Sequence, residues 1–251
     1  MRHDLTPDKA ADSPIAALID GMRGYSAYPK ETIRQSILVD VARFSAPAVI
    51  AKLIDSMYAN PDYLAVVAAR SYHHANHFDK IILVDDEAEN GFRLAIHLWR
   101  PPYTSDEVGD DQIHSHRCEF WSNVLFGALD SLEYCRSDTG TTFTEVTYGA
   151  EYSDTGAKIN VYTTVGDATL ADARYIRRPA GTTYHLPDYC IHRIRISIRI
   201  PTATILVRGP HTREMSSVFS NTTVYAPTAE MQPLTVDQLR ERLHFIGENL
   251  P

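Results

Sequence analysis

The sequence has few cysteines and no long apolar run. Its three cysteines, Cys118, Cys135 and Cys190, are an odd number without a CxxC pair, so no disulfide framework is expected. No apolar stretch approaches the ~20 residues of a membrane helix. The first residues are acidic and lack the continuous apolar core of a secretory signal. We therefore expect a cytoplasmic protein that does not enter a membrane.

Basic charge is also scarce. The chain has 24 Lys and Arg against 32 Asp and Glu, which gives a net charge of −8. Nucleic acids and anionic membranes require concentrated Lys and Arg, so neither is an expected partner. The hydrophobic fraction of 44% over 251 residues is enough for a packed core. We expect a monomer or homodimer with a small-molecule substrate.

Helices are predicted towards both ends of the chain. Residues 1–13 are polar and are predicted to be disordered, with Ser13 as the cap of a following helix. Near the other end, Thr235 and Gln238 form a capping box that predicts a helix to about Ile246. The remaining helical spacings of apolar residues lie at 14–19, 33–42, 47–58 and 61–72.

Between these helices the apolar period becomes that of strands. Many short strands separated by turns are typical of a sandwich or barrel. The predicted strands are 80–84, 92–99, 112–118, 121–127, 129–135, 143–149, 157–165, 173–178, 190–200 and 202–208. We expect one structural domain, made of a helical segment (1–76), a barrel (77–226) and a C-terminal helix (227–251).

Three histidines in this region have the spacing of metal ligands. His114 and His116 are two apart on a predicted strand, so both imidazoles leave the same face and can bind one ion. His192 alternates with Ile194, Ile196, Ile198 and Ile200, which places it on a face that must be buried. A lone buried histidine is usually a core residue, but a third imidazole beside His114 and His116 completes a ligand set. Neutral imidazole suits iron, zinc, copper and nickel.

These motifs resemble those of the cupin superfamily. His114-x-His116 is followed by Gly127, and Pro187 precedes His192 by five residues, with Tyr189 in place of the usual glycine. The resemblance implies a mainly β fold, a cupin-type β-barrel (double-stranded β-helix, or jelly roll) with helices at the N and C termini. Glu119 is nearest to the acidic position of the first motif. It lies an odd number of residues after His116 and would face away on a regular strand, so we predict three histidines without a carboxylate and keep Glu119 as an alternative fourth ligand.

Within the cupins, the chain is most similar to the cysteine dioxygenase-like group. The similarity covers residues 80–135 and 187–210, and its motifs are Leu83-Val84-Asp85, the 92–99 strand, Ile113–His116, Gly127 and Ile191-His192-Arg193. It implies one iron(II) held by three histidines, with O2 as co-substrate.

Two departures argue against cysteine as the substrate. Ile81 stands where that group has a carboxylate-binding arginine, with Lys80 expected on the opposite face of the strand. The group also carries Ser, His and Tyr on its last barrel strand, where this chain has Thr204, Leu206 and Arg208.

Four further residues are candidates for catalysis or substrate binding. Arg208 suits a substrate carboxylate or phenolate, and His97 could donate a proton or contact the substrate. His185 lies just before the second motif, where it could support the site or lie on the barrel rim. Tyr189 lies within the motif, where it could shape the pocket mouth. Surface or structural roles remain open for all four. Cys118 and Cys190 each lie two residues from a proposed ligand, where they line the pocket or fill the core.

The resulting hypothesis is a mononuclear non-haem iron(II) oxygenase, a dioxygenase, acting on a small polar or aromatic metabolite of a specialised pathway. Two alternatives stay open. Zinc, nickel or manganese in the same site would support a non-redox isomerase or hydrolase. A third possibility is a ligand-binding cupin without catalysis.

Overall fold

The chain folds as a mainly β protein with helices before and after the strands. We analysed a computed structural model that describes residues 20–22, 24–25, 30–74, 76–86, 91–103, 112–152, 158–195, 197, 199–221 and 232–251. Its helices are α1 (Lys30–Phe44), α2 (Pro47–Tyr58), α3 (Pro61–Arg70) and α4 (Val236–Asn249). Its strands are β1 (Tyr72–His74), β2 (Phe78–Asp86), β3 (Phe92–Trp99), β4 (Ile113–His114), β5 (Cys118–Phe126), β6 (Ala128–Tyr152), β7 (Lys158–Pro179), β8 (Thr183–Leu186), β9 (Ile191–Arg195), β10 (Thr202–His211) and β11 (Ser216–Ser220).

The strands form two antiparallel sheets. The first has the order β1-β2-β3-β10-β5-β8 and the second β11-β4-β9-β6-β7. Most neighbouring strands, such as β3 with β10 and β4 with β9, are distant in sequence. This is typical of a jelly roll, in which the chain crosses repeatedly from one sheet to the other. The expected fold class, a mainly β jelly roll with terminal helices, is confirmed.

The first sheet is buried on both faces. Along β3, the side chains of Phe92, Leu94, Ile96 and Leu98 belong to a core shared with the helices. The alternate residues, Arg93, Ala95, His97 and Trp99, line an internal cavity. The period of two along a strand therefore separates a structural face from a cavity face.

Local sequence signals fix the helix ends. Helix α2 matches the predicted 47–58 segment, and in α3 the Asn60 side chain accepts a hydrogen bond from the Tyr63 amide. Helix α3 ends at Arg70, two residues before the predicted end, because Tyr72 begins β1. The capping box of Thr235 and Gln238 is present, and α4 runs three residues past the predicted Ile246. The predicted helix at 14–19 and the disorder predicted for 1–13 lie outside the described residues.

Several strand predictions had wrong boundaries. The segments 129–135 and 143–149 are one 25-residue strand, β6, whose register shift between Arg136 and Thr141 corresponds to the predicted gap. The segments 157–165 and 173–178 likewise fall on the single strand β7, of which residues 158 onwards are described. A long strand with a bulge resembles two strands in the sequence, because the residues at the bulge are of the same types as those that form turns.

The predicted strand 190–200 is also shorter than expected. Strand β9 ends at Arg195, and Ile200 is 49% exposed, so the buried face does not continue to this residue. Ile196 and Ile198 lie outside the described residues. Strands β1, β8 and β11 were not predicted, since each has five residues or fewer and little alternation.

The C-terminal helix is attached to the barrel by ion pairs. The Asp79 carboxylate on β2 is buried and lies 3.2 Å from Nε of Arg242 on α4 and 3.4 Å from Nε of Arg100. Arg100 also contacts Glu241 at 2.7 Å. Among the described helices, none has the length and apolarity needed to span a membrane.

Gly127 at the end of β5 allows a test of this architecture. Its φ is +75°, and an added Cβ would lie 2.9 Å from Cα of Thr202. We expect Gly127→Ala to lower the free energy of unfolding by at least about 3 kcal/mol, since backbone atoms obstruct the methyl group. The measurement is urea denaturation.

Gly181→Ala is the matched control. Gly181 has a similar φ of +82° but nothing within 4 Å of an added Cβ. This variant should lose only about 1 kcal/mol, the cost of a left-handed alanine. Equal losses in the two variants would contradict the close approach at Gly127.

Candidate metal centre

The three predicted histidines meet in the interior of the barrel. One ring nitrogen of each of His114, His116 and His192 can be chosen so that all lie within 4.8 Å of one another. His114 on β4 and His192 on β9 are direct cross-strand partners. The Nε2 atoms of His116 and His192 are 3.0 Å apart. Two nitrogens bound at about 2.1 Å to one ion, at right angles, would be separated by about the same distance.

The local conformation of the His-x-His motif differs from the one expected. His116 does not lie on a strand with His114, because β4 ends at His114 and β5 begins at Cys118. Between them the chain passes from one sheet to the other, with the Ser115 amide bonded to Ser217 O and the His116 amide to Asp188 O. The two imidazoles still converge, with ring centroids 4.7 Å apart.

A hydrogen bond orients the ring of His114. Its Nδ1–H donates to the backbone oxygen of Gln112 at 2.8 Å. This bond leaves the Nε2 lone pair of His114 available inside the cavity. Metal-binding histidines commonly fix their tautomer in this way, with the non-ligating nitrogen bonded to a carbonyl or carboxylate.

The electrostatics of the site favour neutral imidazoles. Burial lowers the pKa of His114 and holds the pKa of His116 and His192 well below the usual value. Neighbouring positive charge adds to this effect, from Lys80 at His116 and from Arg178 at His192. A neutral ring keeps the lone pair that a metal requires, so this group fits a divalent metal ion such as iron, zinc or nickel.

The triad opens onto a cavity of about 680 Å³ between the two sheets. Its walls combine aromatic and cationic side chains. On one wall the rings of Phe78 and His97 have centroids 4.4 Å apart, and Phe78 also stacks on His74 at 4.5 Å. Phe120 contacts His116, with a centroid separation of 5.0 Å. The cavity therefore has space and apolar surface for a small organic molecule beside the histidines.

Two of the four additional candidates line this cavity. His97 projects into it from β3, and its buried Nε2 has no hydrogen-bond partner among the described residues. Arg208 projects into it from β10, with Nη1 3.0 Å from His211 Nε2 and Nη2 donating to Gly91 O. Thr204 and Leu206 share this inward face of β10.

The structure does not bring His185, Tyr189 or Glu119 to the described cavity lining. His185 stacks on Trp121 on the helix side of the sheet and lies 2.7 Å from the Glu119 carboxylate. Glu119 also pairs with Arg34 of α1 at 2.7 Å, so it faces away from the triad as its spacing predicted. Tyr189 lies in the β8–β9 turn with 67% of its surface exposed.

The expectation for Lys80 was wrong. Ile81 packs in the core between the sheet and the helices, and Lys80 lines the cavity. Lys80 is the register partner of His97, which faces the same side. The cation that faces the cavity on this strand is therefore Lys80, one residue before the arginine position of the cysteine dioxygenase-like group. A change of register by one residue moves a strand side chain to the opposite face of the sheet.

Other cavity residues were not predicted from the sequence. They include Arg93, Arg117 and Tyr148, which lie on three different parts of the fold. For Arg93, alternation with His97 on the 92–99 strand was an available signal. Of the two roles expected for the cysteines, lining the pocket or filling the core, Cys118 lines the cavity. Cys190 is half-buried and is not among the described residues that line it.

Comparisons with known proteins find relatives by structure only. No family model matches the sequence, and no curated protein matches it. Hydroxypropylphosphonic acid epoxidase from S. wedmorenis is similar in structure at 8% identity and a TM-score of 0.33, over 55% of this chain and 53% of that one. This chain thus spans about half the length of the epoxidase.

Two other solved structures also match this chain. Hydroquinone 1,2-dioxygenase in complex with Cd2+ and 4-hydroxybenzonitrile matches at 11% identity and a TM-score of 0.30, over 53% of this chain and 64% of that one. A structure of DMSP lyases matches at 12% identity and a TM-score of 0.36, over 78% of this chain and 92% of that one. At these sequence identities and TM-scores, the activities named are those of the matched proteins and are not assigned to this chain.

The buried histidines predict a pH dependence of stability. Burial, followed by the charge of Lys80, lowers the pKa of His74 from 6.5 to about 3. Between these two values the unfolded chain binds a proton that the folded chain does not. Stability from His74 is therefore complete above about pH 6.5 and is lost as the pH falls towards 3. We expect the unfolding free energy of wild-type protein without metal to decrease from pH 6.5 to 5.

His74→Gln removes one titrating group and should weaken the dependence of the unfolding free energy on pH. Its slope between pH 6 and 5 should be smaller than that of the wild type by about 1.4 kcal/mol per pH unit. His244→Gln is the control, because the His244 side chain is 72% exposed and stays in water in both states. Urea unfolding at several pH values measures the slopes, and equal slopes for His74→Gln and wild type would refute the prediction.

Proposed function

We propose that the protein is a mononuclear non-haem iron(II) oxygenase, a dioxygenase, that acts on a small organic metabolite. The observation that supports this proposal is the convergence of the three neutral imidazoles of His114, His116 and His192 within 4.8 Å at the wall of a large cavity. Among the described residues, no carboxylate belongs to this group of possible metal ligands.

The donor set fits such a cofactor. His114, His116 and His192 would hold the ion and leave its other positions facing the cavity. Bound iron(II) would supply the activation of O2. Because all three ligands are neutral, the site would keep the full charge of the ion, which favours an anionic or chelating substrate.

The remaining cavity residues would bind and orient the substrate. We assign His97 the role of a hydrogen-bond partner, since its Nε2 is buried at the cavity wall. Burial holds the pKa of His97 well below the usual value, so the ring is neutral near pH 7. It can donate or accept one hydrogen bond there, according to its tautomer. Phe78, Phe120 and Trp99 would exclude water from the reacting molecule.

The proposal is tested by the metal content of the protein and of two histidine variants. Wild-type protein purified without chelator or histidine tag should contain about one iron per chain. His192→Ala should lose it, because one of three ligands is removed. His185→Ala should retain it, since His185 lies on the other side of the sheet. Elemental analysis of the three proteins measures the metal.

The same experiment separates the alternatives. One zinc, nickel or manganese per chain, lost only in His192→Ala, would retain the site and favour a non-redox isomerase or hydrolase. Equal metal in His192→Ala and wild type would overturn the three-histidine site. Iron-loaded wild type that consumes no O2 with any carboxylate- or phenol-bearing metabolite would contradict the oxygenase assignment.

A further inference from the structure

Two arginines lie side by side within the cavity. Arg93 on β3 and Arg208 on β10 are direct register partners, and both line the cavity. Like charges opposite each other on neighbouring strands destabilise a sheet, so such a pair inside a barrel has a cost. Each guanidinium is held in position: Arg93 by the two oxygens of Asp85 at 3.1 and 2.8 Å, and Arg208 by His211 and Gly91 O.

A third arginine extends this cationic wall. The guanidinium carbon of Arg117 lies 5.9 Å from the ring centroid of Tyr148, and both residues line the cavity. Arg117 directly precedes Cys118, whose register partner on β10 is His211, the residue that contacts Arg208. The three arginines therefore border one region of the cavity, next to the His114-Ser-His116 corner.

The charge of the cavity is opposite to that of the whole protein. The described lining contains four Lys or Arg side chains and no Asp or Glu. The chain as a whole has 32 acidic and 24 basic residues. The Asp85 carboxylate offsets the charge of Arg93, and the other fixed cations of the cavity attract anions and strengthen their binding.

We propose that Arg93, Arg117 and Arg208 form an oxyanion-binding subsite, and that the substrate carries a carboxylate or phosphate-type group bound there. Anion binding by these arginines does not depend on the proposed function, but the statement that the bound molecule is the substrate rests on it. Planar guanidiniums bind such groups through paired N–H donors. The three histidines border the same cavity, so one small molecule can contact both the arginines and the metal position. Aromatic rings such as Phe120 and Tyr148 supply the apolar contacts between them.

Calorimetric titration with inorganic phosphate and with succinate tests the subsite. We expect Arg208→Gln and Arg117→Gln each to weaken binding of at least one of the two anions by about tenfold or more, the usual effect of losing a charged hydrogen bond. Arg199→Gln, which changes an exposed arginine, should bind as wild type. Arg208→Lys should recover part of the affinity. Should Arg208→Gln fail to fold, Arg117→Gln decides the result.

His192→Ala distinguishes the subsite from the metal. It should still bind the preferred anion, and the arginine substitutions should weaken that binding as they do in the wild type, because the arginines do not require the ion. Unchanged affinity in both arginine variants, or no binding of either anion to wild type, would overturn the subsite. Loss of binding in His192→Ala alone would place the anion on the metal and equally overturn it. Arginine-dependent binding in wild-type protein that contains no iron would support the subsite and reject the oxygenase.

Discussion

The structure depends on a sheet that is buried on both faces. In most antiparallel sheets one face is in contact with water, and polar residues occupy it. Here α1–α4 cover the outer face of the first sheet, and the second sheet covers the inner face. Every second side chain of β3 and β10 therefore has to be apolar to form the core. The alternate side chains can be polar only because the cavity accommodates them.

This division explains how the polar residues of the cavity are tolerated. Leu94, Ile96, Ile205 and Val207 provide the apolar burial that stabilises the sheet from the helix side. Their neighbours are then free to carry chemistry instead of packing. His97 and Arg208 occupy such positions, and their cost in desolvation is offset by the core one residue away.

The metal-binding group depends on a different feature, the passage of the chain between the sheets. His114 is held by pairing with His192 in the second sheet, and His116 lies where the chain leaves for the first. The triad is thus anchored to both sheets of the barrel. A bound anion would offset part of the repulsion among the cavity cations. A bound metal would engage the buried ring nitrogens of the three histidines. This relation makes ligand binding and barrel stability interdependent.

The sequence by itself determined the features that depend on local periodicity. Helix α2, strand β3 and the capping box of Thr235 lie where the spacing of apolar residues and the capping signals predicted them. The spacing of the histidine motifs also predicted a mainly β fold and the grouping of His114, His116 and His192. His114 and His116 nevertheless converge where the chain crosses between the sheets, and not by alternation along one strand. Only the tertiary structure decided which face of each strand became the cavity. Lys80 faces inward, and His185 faces the helices, because register and sheet crossing depend on contacts between distant segments, which local sequence patterns do not encode.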